Sequence, residues 1–140
     1  MSTDTSQRCI LVVDDQPGTR RLVRNLLEST GHRVVEAADE QSAWNAIRTL
    51  KSEVGLAIID VELMGGISGP YLALGFKSFL DVPIILMSGH PREALIATHH
   101  LQASVPFVQK PFTLREMMTT VTEVCGEGGY STLLPAAVRH

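Results

Sequence analysis

The sequence predicts an α/β fold: a doubly wound, five-stranded parallel sheet in the order 2-1-3-4-5, with helices on both faces. Three observations carry this. Short apolar runs alternate with longer segments of helical period along the chain, the pattern of a parallel sheet covered on both sides. Three of the runs, residues 9–13, 54–59 and 82–87, are almost wholly apolar and belong at the centre of the sheet. The other two fit edges, 33–37 because it carries Arg33 and Glu36 and 105–108 because it carries Pro106. Right-handed crossovers then favour the stated order.

Residues 9–13 (CILVV) form the first strand. A helix over 17–29 follows, with Leu22, Val23, Leu26 and Leu27 on one face and Arg20, Arg21, Arg24 and Glu28 on the other. Pro17 suits its first turn and Gly31 its stop. Residues 33–37 (RVVEA) are a mixed strand, and a helix over 39–51 turns Ala43, Ala46, Ile47 and Leu50 inward. The third strand is VGLAII at 54–59. Residues 61–67 form a glycine-containing loop before a helix over 68–79, and VPIILM at 82–87 is the fourth strand. A weakly patterned helix over 91–101 leads to the short strand VPFV at 105–108. The last helix, 113–125, has the clearest signature. Thr113 and Glu116 make a capping box, and Leu114, Met117, Met118, Val121 and Cys125 make the apolar face. Gly126, Gly128 and Gly129 end it. The chain therefore divides into an N-terminal extension (1–7), one domain (8–125) and a C-terminal tail or linker start (126–140), in which Leu133-Leu134 is an apolar pair without an assigned place.

Composition narrows the function classes. The chain has 140 residues, of which 44% are apolar, enough for one domain with a real core. The net charge of −3 argues against a basic nucleic-acid-binding surface. The longest apolar runs fall far short of the roughly 18 residues that span a bilayer. The first apolar run meets Asp14-Asp15 too soon for a secretory leader. Cys9 and Cys125 have no metal-type spacing and read as buried thiols. The expectation is a cytoplasmic protein that binds neither nucleic acid nor membrane directly.

Four apolar strands end in polar residues: Asp14-Asp15, Asp60, Ser88-Gly89 and Lys110-Pro111. In a parallel sheet these ends share one rim, and ligands bind there beside the point where strand order reverses. Three carboxylates brought together repel one another, and a divalent cation relieves this. Oxygen donors with no neighbouring Cys or His favour Mg²⁺. Lys110 adds a compact positive charge, Ser88 a hydroxyl and Gly89 an accessible backbone N–H. An aspartate so surrounded is equipped to accept a phosphoryl group, and Asp60, alone at a central strand end, is the candidate.

With these residues the sequence resembles the receiver domain of bacterial two-component response regulators, whose fold is flavodoxin/CheY-like. The resemblance covers about residues 8–125 and rests on VVDD at 12–15, IID at 58–60, MSG at 87–89 and KPF at 110–112. It implies a phosphorylation-dependent switch rather than a conventional enzyme, with Asp60 accepting phosphate from a sensor histidine kinase or a histidine phosphotransfer protein. It implies Mg²⁺ held by Asp14, Asp15, Asp60 and the backbone carbonyl of Glu62, and phosphoryl contacts from Ser88, the Gly89 N–H and Lys110. It further implies a cis Lys110-Pro111 bond and a Ser88–Phe107 switch. The output partner is an unnamed protein, and a homodimer through helix 4, strand 5 and helix 5 fits the same scheme. Glu62 and His90 stand where the family tunes hydrolysis of the phosphoryl group, and read either as such tuning residues or as ordinary solvated loop residues. Arg20, Arg21 and Arg24 form either a solvated face or a kinase-docking stripe. One departure is clear: Met64 stands where the family usually has Pro, and the segment Gly65–Gly69 is one residue longer. Two other readings stand beside this one, the first with the same chemistry in a different setting and the second an enzyme. One is a receiver excised from a hybrid histidine kinase or multidomain regulator. The other, more distant, is an aspartyl-phosphate phosphatase with Glu62 as second acid.

Overall fold

In the computed structural model, which describes residues 7–63 and 69–134, five parallel strands lie in the order β2-β1-β3-β4-β5 that the sequence predicts. β1 (Cys9–Val13) pairs with β2 (Arg33–Ala37) on one side and β3 (Val54–Asp60) on the other, and β4 (Ile84–Ser88) and β5 (Phe107–Gln109) complete the sheet. Every residue of β1, β3 and β4 is buried, because helices on both faces leave no side for water. Alternate strand residues serve opposite cores. Leu11, Ala57, Ile59 and Leu86 pack with residues of α2 (Glu40–Leu50), α3 (Gly69–Leu80) and α4 (Arg92–His99). Ile10, Val12, Ile58 and Met87 pack with residues of α1 (Pro17–Glu28) and α5 (Leu114–Leu133).

Local chemistry sets the element boundaries. α2 starts on a capping box in which the Asp39 carboxylate accepts from the Ser42 N–H at 2.8 Å and the Ser42 hydroxyl accepts from the Asp39 N–H at 3.2 Å. β4 and β5 begin two residues later than predicted. Pro83 and Pro106 have no N–H to donate and enter the sheet only through their carbonyls, which accept from Ala57 and Leu86 at 3.0 Å each. α4 stops at His99 rather than residue 101, because His100 takes a left-handed conformation (φ 56°). The expected inward face of α1 also needs correction. Val23 and Leu27 are buried, but Leu22 is 58% exposed, and Arg20, placed outward, turns toward β2. Residue 20 stands three before Val23 and seven before Leu27, so it shares their stripe.

The C-terminal segment departs most from expectation. The Thr113–Glu116 capping box is present, with Thr113 N–H donating to Glu116 Oε1 at 2.7 Å. The helix breaks at Gly126 (φ 70°, ψ 172°), as glycine permits. The chain then resumes helical geometry and runs to Leu133. Leu133 is fully buried in the α1/α5-side core. A Cβ on Gly55 would come within 2.7 Å of its Cδ2, so the absent side chain makes its seat. The Gln7 side-chain amide donates to the carbonyls of Leu133 and Gly31 at 2.9 Å each. Met64 and the stretch 65–68, where the loop departs from the family pattern, lie outside the described residues.

Candidate functional site

The ends of the strands bring the predicted residues to one rim. Asp14, Asp60 and Ser88 are buried at the ends of β1, β3 and β4, with Asp15 beside them. Carboxylate oxygens of Asp14, Asp15 and Asp60 lie within 4.8 Å of one another. Lys110 reaches in from the segment after β5, its backbone N–H anchored on the Ser88 carbonyl at 2.8 Å and its bond to Pro111 cis. Its Nζ donates to Asp60 Oδ2 at 2.7 Å and to Asp14 Oδ2 at 2.9 Å. The remaining oxygens are also held: Asp14 Oδ1 accepts from the Gln16 N–H at 2.9 Å and Asp60 Oδ1 from the Glu62 N–H at 2.8 Å. Glycine is required at position 69, where a Cβ would run into the Asp60 carbonyl oxygen. Gly89 is under no such pressure, since a Cβ there would meet nothing.

The electrostatics follow from burial and pairing. Burial pushes the Asp60 carboxyl above its ordinary pKa and the Asp14 charge adds to this, while the Lys110 ammonium and the Glu62 N–H pull the other way. Burial also opposes the Lys110 charge, but the Asp60 and Asp14 carboxylates outweigh it and raise that pKa. Three carboxylates against one ammonium leave a surplus of hard oxygen donors, and the cluster has the chemistry to hold a divalent cation of that preference.

Around this centre lie contacts that the sequence did not reveal. The Ser88 hydroxyl accepts from the His90 N–H at 3.0 Å and donates to Glu62 Oε1 at 3.4 Å. Glu62 Oε2 in turn lies 2.8 Å from His90 Nε2, so the two residues assigned to tuning form one pair beside Ser88. Phe107 is half-buried, with the Arg92 guanidinium 5.3 Å from its ring centroid. Arg92 also donates to the Ala103 and Val105 carbonyls at 2.7 Å each. Arg92 and Phe107 line a cleft of about 290 Å³ between α4, β5 and α5. A larger cavity, about 810 Å³ between α3 and the α4–β5 connection, includes none of the acidic-site residues. Two of the three α1 arginines are engaged: Arg20 with Glu36, and Arg24 with Glu36 and Glu28. Arg24, and then Arg20, hold the Glu36 carboxyl below its usual range against the effect of its partial burial. Arg21 remains exposed.

Comparison with known proteins meets this geometry at the level of family. The sequence pattern of the response regulator receiver domain matches residues 10–122. The chain is 32% identical to a chemotaxis protein CheY homolog of Campylobacter jejuni, covering 85% of this chain and 93% of that protein. It is 32% identical to the sensor kinase CckA of Brucella abortus, where 88% of this chain matches but only 13% of the kinase. Other curated relatives are likewise longer, with the chain spanning 46% and 15% of two of them. Among solved structures, the receiver domain of the Erythrobacter litoralis response regulator PhyR superposes with a TM-score of 0.71 at 27% identity, covering 85% of this chain and 90% of that one. No helix among the described residues is long and apolar enough to cross a membrane. By its sequence match, its strand order and its cluster of acids at the strand ends, the chain belongs to the response regulator receiver domain family.

Proposed function

We propose that this receiver domain takes a phosphoryl group on Asp60 from a sensor histidine kinase or histidine phosphotransfer protein and signals by reshaping its α4–β5–α5 surface. The observation that carries the reading is the Lys110 ammonium held between Asp60 and Asp14 at the strand ends. An Asp60 carboxylate oxygen attacks the phosphorus in line; the P–O bond forms as the P–N bond to the donor histidine breaks, and the imidazole leaves. Lys110, the Ser88 hydroxyl and the Gly89 N–H neutralise the phosphoryl oxygens. The carboxylates of Asp14, Asp15 and Asp60 and the Glu62 carbonyl would hold Mg²⁺, which when bound adds positive charge against those oxygens.

The switch starts from the bond that Ser88 gives up. Its contact with Glu62 is long at 3.4 Å and yields readily to a charged acceptor. When the hydroxyl turns to the phosphoryl group it vacates space for the Phe107 ring. Phe107 turns inward without a hydroxyl of its own, so packing alone drives it, and it leaves the Arg92 guanidinium as it goes. The face so altered serves a protein partner or a second copy of the chain. The Glu62–His90 pair controls the approach of water to the phosphorylated Asp60.

The test is incubation with Mg²⁺ and a small acyl phosphate, borohydride reduction of the acyl phosphate formed, and peptide mapping by mass. The mark belongs on Asp60. A mark on another acid, with none on Asp60, would overturn the assignment.

A further inference from the structure

We propose that Arg20 is a positioning residue for the acidic site: braced by Glu36, it clamps the Asp14–Asp15 peptide and so sets how these two carboxylates meet a divalent cation. The inference rests on the reading of the pocket as a Mg²⁺ site. Arg20, Glu36 and Arg24 lie outside the set of residues expected to touch metal or phosphate. Arg20 shares the buried stripe of α1 with Val23 and Leu27, and its Nε donates to Glu36 Oε1 at 2.8 Å and its NH1 to the Asp14 carbonyl oxygen at 2.8 Å. Both side chains of the Arg20–Glu36 pair are only 15% exposed.

A peptide unit is rigid, so the Asp14 carbonyl and the Asp15 N–H turn together. Holding that oxygen therefore fixes the direction in which Asp15 leaves the strand end. The other side of Asp14 is already pinned, its N–H donating to the Ala37 carbonyl of β2 at 3.1 Å. Arg20 thus completes a two-sided clamp on the backbone that carries both acids. An arginine is a long chain that loses much rotamer freedom when fixed. Here Glu36 fixes it, and Glu36 is itself fixed by Arg24 NH1 at 2.7 Å on its second oxygen. Arg24 also meets Glu28 at 3.0 Å. Two arginines against two glutamates carry no net charge, so the brace acts on the site through geometry rather than through field.

Charge and geometry separate cleanly in the variant Arg20→Lys. The positive charge stays, but a single ammonium cannot reproduce the planar fork that spans Glu36 and the Asp14 carbonyl. Arg24→Lys is the control, since Arg24 does not touch Asp14 and gives Glu36 a single contact that a lysine ammonium can keep. Mg²⁺ affinity is read by titration of the Asp14 and Asp15 backbone amide shifts, alongside Tm and the Mg²⁺ dependence of phosphorylation by a small acyl phosphate. For Arg20→Lys the Mg²⁺ Kd rises about tenfold, the usual size for loss of a group that orients a metal ligand. Tm stays at the wild-type value and the rate recovers at saturating Mg²⁺. Arg24→Lys stays within about twofold of wild type. A wild-type Kd in Arg20→Lys, or an equal weakening in Arg24→Lys, overturns the inference and leaves the proposed function standing. Failure of the wild type to bind Mg²⁺ overturns the reading of the site, and the inference with it. Should Arg20→Lys not fold, Glu36→Asp, which withdraws the carboxylate by one methylene, puts the same question with the same outcomes.

Discussion

Lys110 holds two buried carboxylates with one ammonium, and its loss has two consequences. Lys110→Met leaves Asp14 and Asp60 facing each other without their counter-ion, which costs about 3 kcal/mol at neutral pH without Mg²⁺. Part of that loss returns when Mg²⁺ is added, because the cation replaces the missing charge. Urea denaturation of both proteins, with and without Mg²⁺, checks this; equal stability in the absence of metal would show that the ammonium carries no such load. At this scale the sequence is informative where the chemistry sits on strand ends. Asp14, Asp15, Asp60, Ser88 and Lys110 could be placed together because a parallel sheet puts all its C-terminal ends on one rim. Arg20, Arg92 and the Glu62–His90 pair could not. Each depends on which way a long side chain turns, and that is decided by partners far away in the chain, such as Glu36 for Arg20 and Phe107 for Arg92.

Among the elements, α5 shows how a correct local signal can mislead about the next stretch of chain. Thr113 and Glu116 predict its start and Gly126 its break, and both are present. The resumption to Leu133 is hidden from such signals, because its cause is the seat over Gly55 in β3, which no local pattern encodes. Leu133→Ala should therefore destabilise the fold by about 2–3 kcal/mol, the lower part of the range for a buried leucine. A shift in urea midpoint corresponding to less than about 0.5 kcal/mol would mean that the segment merely rests on the surface. The switch also belongs to this scale. Phosphorylation should change hydrogen exchange over residues 88–108, from the end of β4 through α4 to β5, and leave α2 as it was. Unchanged exchange over 88–108 would remove α4 and β5 from the output surface.

For the whole molecule, the alternation of apolar runs with helical periods gave a parallel sheet covered on both faces, and the edge signals at 33–37 and 105–108, right-handed crossovers and the family resemblance together gave the strand order. They could not foresee His32, which is 4% exposed and closes the bottom of the α1/α5-side core near Tyr130. Its Nδ1 lies 2.7 Å from Thr30 Oγ1, and its Nε2 finds no hydrogen-bond partner among the described residues. Burial lowers its pKa from the ordinary 6.5, and the Leu27 carbonyl opposes this only in part. A group whose pKa is lower folded than unfolded gives its full stability above the unfolded value and loses it as the pH falls through the folded one. The fold should therefore weaken progressively below about pH 6.5. Urea midpoints at pH 7.5 and 5.5 check this against His32→Gln, in which the drop over that interval should shrink; an equal drop would place its cause elsewhere.

The central claim, that the acids at the strand ends form a phosphoacceptor site, is tested most directly by intact-protein mass after incubation with a small acyl phosphate. Wild type and Asp60→Ala are compared, each with Mg²⁺ and with a chelator. The wild type with Mg²⁺ should carry a single phosphoryl adduct, and the other three samples none. An adduct of equal yield on Asp60→Ala, or none on folded wild type that binds Mg²⁺, would contradict that claim.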